Sequence, residues 1–67
     1  MKTYIIEYIP NKEIGILKLY KLIPMQDNYW DVYLWHEGEW DYHDNIGKES
    51  FNYMMENATT IFEEKKL

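Results

Sequence analysis

Sixty-seven residues make one small domain, near the lower limit for a chain that folds without staples. The absence of cysteine excludes disulfides, thiolate metal sites and a cysteine nucleophile. Twelve acids stand against seven lysines for a formal charge of −5, with no arginine at all, and without the forked guanidinium that grips phosphate the chain is not expected to bind nucleic acid directly.

Stability must therefore come from burial, and large rings bury much area per residue. A core of this size supplies about 3–5 kcal/mol, which makes self-association a natural supplement. Residues 2–9, KTYIIEYI, are rich in β-branched and aromatic side chains and read as a first strand. One lysine and a short apolar run broken by Glu7 and Pro10 do not make a signal peptide or a membrane span. The chain is expected to be cytoplasmic. Pro10-Asn11-Lys12 signals a turn. Residues 13–23, EIGILKLYKLI, read as the second strand, because Gly15 weakens a helix and lysines interrupt either helical face. Both faces of these two strands carry apolar residues. Such strands are expected to be covered on both sides, one side by a helix and the other by a second copy of the chain.

Pro24 to Asn28 forms a loop, and residues 29–35 and 39–44 form a second hairpin. Its register decides its meaning, because a slip of one residue sends every side chain to the opposite face. With a two-residue turn at Glu37-Gly38, Trp35 faces Trp40 and Tyr33 faces Tyr42. With a three-residue loop at His36-Glu37-Gly38 and a left-handed Gly38, the pattern separates more cleanly. Trp30, Val32, Leu34, Trp40 and Tyr42 then share a core face. Tyr29, Asp31, Tyr33, Trp35, Glu39, Asp41 and His43 share the outer one. The three-residue loop is the expected register.

Asp44 to Gly47 reads as a turn, followed by a helix over 48–65. Phe51, Met54, Met55, Ala58, Ile61 and Phe62 recur at helical spacing and form one apolar stripe. Glu49 in the first turn and Lys65 and Lys66 in the last suit the helix dipole. Ser50 or Asn45 could cap its start. The fold class is α+β: one domain over 1–67 with a four-stranded, mostly antiparallel sheet in sequence order and a C-terminal helix on one face.

No catalytic, metal or cofactor site is expected. Ser50 is the only serine, and a triad needs a sheltered cleft to orient three groups. His36, Glu37, Glu39, Asp41, His43 and Asp44 cluster in sequence, but one histidine falls in the turn and the other near a strand end, in no known ligand pattern. Paired carboxylates on a flat hairpin do not face each other across a cleft as glycoside hydrolysis requires. Ring stacking on single strands needs a basic groove that this chain lacks.

A protein-binding surface remains. Residues 27–64 carry ten acids and only Lys48, whereas residues 1–26 carry four lysines and two glutamates. Tyr and Trp are favoured anchors of interfaces, and carboxylates among them select a basic partner and speed encounter. The expected contact set is Tyr29, Asp31, Tyr33, Trp35, Glu37, Glu39, Asp41 and His43. The partner expected from the charge is a basic protein surface, such as that of a nucleic-acid-binding protein. In composition alone the chain is similar to small phage proteins that inhibit DNA-handling enzymes by mimicking DNA. Lysine without arginine, with abundant Ile, Asn and Tyr, is what AT-rich coding sequence produces, which points to a low-GC bacterium or one of its mobile elements. The other expectation is a homo-oligomeric structural or regulatory domain whose rings serve self-association.

Overall fold

A computed structural model describes residues 2–64. The chain runs β1 (Thr3–Tyr8), β2 (Lys18–Pro24), β3 (Tyr29–His36), β4 (Glu39–Gly47), α1 (Lys48–Asn57) and β5 (Thr60–Glu64). The strands form one antiparallel sheet in the order β4-β3-β2-β1-β5. The expected α+β architecture is present, with the first four strands adjacent in sequence order and a fifth strand added beside β1.

Register divides the sheet into two faces. On one, transverse rows run Ile61–Ile6–Tyr20–Leu34–Asp41 and Glu63–Tyr4–Leu22–Val32–Asp44. Every buried core residue lies on this face: Ile6, Tyr20, Leu22, Trp30 and Val32. The helix covers it, setting Phe51, Met54, Met55 and Ala58 against that core. The Phe51 ring stacks on Trp30 with centroids 4.0 Å apart and planes within 8°. Among the described residues no helix covers the other face. The sequence expectation of cover on both sides is met on one side only within the described chain.

The helix stops at Asn57, eight residues before the expected end. Ala58 takes an extended conformation (φ −66°, ψ 137°), and Thr59 donates its N–H to the Glu7 carbonyl at 2.8 Å. Thr60 to Glu64 then pair with β1. Two adjacent threonines restrict χ1 in a helix and suit a strand, and an open edge of β1 was available to pair with them. Ile61 and Phe62 therefore leave the helical stripe and point to opposite faces of the sheet. Lys65 and Lys66, expected in the last helical turn, lie outside the described residues. Neither Ser50 nor Asn45 caps the helix: the N-cap is Gly47, without a side-chain bond. Asn45 instead donates to the Asp31 carboxylate at 3.0 Å. A helix of ten residues rises about 15 Å and with its flanks bridges the four strand spacings, about 19 Å, between β4 and β5. So short a helix is marginal alone, and packing on Trp30 holds it.

The second strand begins at Lys18 rather than residue 13. The Asn11 side-chain oxygen accepts N–H bonds from Glu13 (3.0 Å) and Ile14 (3.3 Å), and Gly15, at φ +73°, donates to the Asn11 carbonyl at 2.9 Å. Local side-chain bonding of this kind competes with strand pairing and holds residues 11–15 in a turn.

The hairpin of β3 and β4 corrects the expected register. Trp35 pairs with Trp40 and His36 with Glu39, so the turn has two residues. Glu37 (φ +49°) and Gly38 (φ +85°) are both left-handed, the conformation that matches strand twist in tight hairpins. The ladder then shifts: Tyr33 pairs with Tyr42, but Val32 pairs with Asp44. His43 is the extra, unpaired residue of a β-bulge. Past it, Ile46 comes opposite Trp30 and joins the packing under the helix. The expected Asp44–Gly47 turn is thus strand.

A left-handed non-glycine residue in this turn gives a direct test. Glu37→Asn should raise the urea midpoint, since Asn-Gly is the preferred pair here. Gly38→Ala should lower stability by about 1 kcal/mol. A three-residue loop would leave Glu37→Asn without gain.

Candidate interaction surfaces of the outer hairpin

The turn and the bulge together decide where each expected contact residue lies. Tyr29, Asp31, Tyr33 and Trp35 lie on the uncovered face. Trp40 and Tyr42, expected in the core, join them there, opposite Trp35 and Tyr33. Glu39 and Asp41 fall on the other face, opposite His36 and Leu34. Glu37 occupies the turn, and His43 turns to the helix side, its ring 5.7 Å from that of Tyr20. The expected mixed surface of rings and carboxylates is therefore two surfaces back to back.

The ring surface is continuous. One transverse row reads Phe62–Ile5–Lys21–Tyr33–Tyr42 across all five strands. Tyr33 and Tyr42 meet edge to face at 5.6 Å, and Trp35 and Trp40 at 5.1 Å, the geometry that aromatic quadrupoles favour. Lys21 places its ammonium 4.8 Å from the centre of the Trp40 ring, a cation–π contact. Trp35 remains 44% and Tyr42 59% exposed. Crowding by its neighbours, and then the charges of Asp31 and Asp44, hold the Tyr42 hydroxyl above its ordinary value. At that exposure the effect carries no consequence for stability.

The carboxylate surface has almost no compensating charge. Glu37, Glu39, Asp41 and Asp44 are all exposed. Their one charged contact among the described residues is His36 Nδ1 to Asp41 Oδ2 at 3.5 Å. Also among the described residues, no three His, Asp or Glu side chains lie close enough to hold a metal ion, and no helix is long and apolar enough to cross a membrane.

A pocket of about 170 Å³ opens on the helix side of the bulge, lined by Tyr8, Pro10, Tyr20, Val32, His43, Asp44, Ile46 and Met54. Tyr8 and Tyr20 stand edge to face at 5.9 Å and 73°. Sequence reasoning missed this pocket, which depends on the bulge, and the outward placement of Trp40 and Tyr42, which follows from the two-residue turn set aside for the longer loop. The only local signal was the Glu-Gly dipeptide, read with too long a loop.

Comparison with protein-family models, with curated proteins and with solved structures yields no match.

Burial, and then the neighbouring Tyr8 phenol, raise the Tyr20 hydroxyl above its ordinary 10.0. An unfolded chain releases this proton first, so the stability it contributes is present below pH 10 and declines as pH rises through the folded value. Urea midpoints should fall between about pH 9 and about pH 11. Tyr20→Phe should flatten part of that fall, and a slope unchanged by the substitution would place the linkage elsewhere.

Proposed function

We propose that this is a non-enzymatic cytoplasmic binding protein that docks the carboxylate side of its β3–β4 hairpin on a basic protein surface. One observation carries the reading: the two-residue turn gathers Glu37, Glu39 and Asp41 at the outer end of the hairpin, with no lysine paired to them in the ladder. Exposed carboxylates on a stiff strand pair create a negative field that steers a positively charged partner. The partner class it fits is a nucleic-acid-handling protein of a low-GC bacterium, whose phosphate-binding surface the carboxylates would occupy, as an inhibitor from a phage or mobile element would do.

Salt provides the test. Binding to basic nucleic-acid-binding proteins of such a bacterium should weaken at least tenfold as ionic strength rises from about 50 to about 300 mM, since screening shortens the Debye length. Glu37→Ser with Glu39→Ser and Asp41→Ser should weaken it further, whereas Asp31→Ser, on the opposite face, should not. Affinity that survives the triple substitution would end this reading.

A second reading rests on the separation of rings from acids. The uncovered face carries Ile5, Tyr33, Trp35, Trp40, Tyr42 and Phe62 with charges of both signs among them, Glu7, Lys21, Asp31 and Glu64, which suits an isologous pairing of two copies. Sedimentation should then report a dimer that Trp35→Ser with Tyr42→Ser converts to a monomer. A wild-type monomer at high micromolar concentration would exclude it.

A further inference from the structure

The pocket beside His43 joins three features that one ligand chemistry explains. Its rings form a corner rather than a stack: Tyr8 lies at 73° to Tyr20, and Tyr20 at 62° to His43. Tyr20 is only 3% exposed, and its hydroxyl makes no hydrogen bond among the described residues. No buried side-chain oxygen lacks a partner there, so the hydroxyl is not sealed from solvent, and Tyr20 lines the pocket. Val32, Ile46 and Met54 give an apolar lining, and Asp44 brings an exposed carboxylate. Lys18, which pairs with Tyr8, does not line the pocket.

Aromatic rings around a small space attract cations through their quadrupoles, most of all where water is partly excluded. A carboxylate among them adds charge attraction and repels anions. Apolar lining suits the methylene stem of a long basic side chain, whose charged head prefers a polar end. At about 170 Å³ the space suits a single side chain and falls short of the roughly 300–1,000 Å³ typical of sites for larger ligands. The two-residue turn puts His43 on the helix side, and the bulge brings Asp44 to the same side beside it; bulges commonly re-aim a side chain at a functional site.

We propose that Tyr8, Tyr20, His43 and Asp44 form a cage that receives one lysine or arginine side chain of a basic protein partner. The cage rests on the docking reading above and names the anchor within it, on the same side of the sheet as Glu39 and Asp41.

Titration of the 15N-labelled protein with N-acetyl-lysine amide, N-acetyl-arginine amide and neutral N-acetyl-norleucine amide tests it without any partner. The two cationic probes should shift the amide signals of Tyr8, Tyr20, His43 and Asp44, with dissociation constants on the order of millimolar, and norleucine should not. Asp44→Asn keeps an acceptor for the Asn45 N–H, which its carboxylate holds at 2.8 Å, so it should leave the fold intact. It should weaken the cationic probes roughly two- to fivefold. Tyr8→Leu should abolish the shifts while spectral dispersion persists. Equal shifts with norleucine, or none with any probe, would overturn the cage. If the cationic probes bind but no basic protein docks, only the wider reading fails. If a basic protein docks with affinity unaltered by Asp44→Asn and Tyr8→Leu, docking stands and the cage does not.

Discussion

A single unpaired residue, His43, lets strand β4 serve two faces of the sheet. Without it, the register set by Glu37-Gly38 would run unbroken from the tip. Trp40 and Tyr42 would then face outward at the cost of turning Asp44 and Ile46 out as well. With it, the outer half of β4 presents rings to the uncovered face, and the inner half places Ile46 opposite Trp30 and leads into the helix. A bulge also bends and twists its strand, which suits an edge strand that must not recruit another chain along its length. The pocket and the placement of the helix start follow from this one insertion, while the turn at Glu37-Gly38 separates the rings from the carboxylates.

The core that results is thin and one-sided. Five of the described residues are buried, all on the helix face, and the helix itself has no buried residue and no side-chain cap. It stays in place because Phe51 stacks on Trp30 and because the chain on either side of it is committed to strands at opposite edges of the sheet. The uncovered face, by contrast, holds its rings with edge-to-face pairs and one cation–π contact. Such contacts add about 0.5–1.5 kcal/mol each beyond area burial, enough to order the side chains and too little to replace a covering layer.

Much of this architecture was legible in the sequence, and the parts that were not share a cause. Alternation and β-branching located β1 to β4, and Phe51, Met54, Met55 and Ala58 read correctly as the stripe that packs on the core. The end of the helix was hidden because Ile61 and Phe62 continue the stripe at helical spacing. Only the unfilled edge of β1, more than fifty residues earlier in the chain, makes a strand the better state for them. Residues 13–17 have strand composition, but the Asn11 side chain takes the N–H groups of Glu13 and Ile14, a local competitor that alternation does not register. At the hairpin, each candidate register assumed an unbroken ladder. The three-residue loop assigns Trp40 and Tyr42 to the wrong face and groups Glu39, Asp41 and His43 with rings that lie behind them, and the change of register at His43, which returns Ile46 to the core face, has no mark in the alternation.

The pairing of β5 with β1 sets Thr3 opposite Glu64. These two residues therefore lie side by side, diagonally across the sheet from the Glu37-Gly38 tip. A tether to a surface, a fused domain or a short peptide bridge closing the chain into a ring would all leave the hairpin unobstructed. Closure would also act where it matters most for a thin core, since joining neighbours so distant in sequence restricts the unfolded chain and asks nothing new of the folded one.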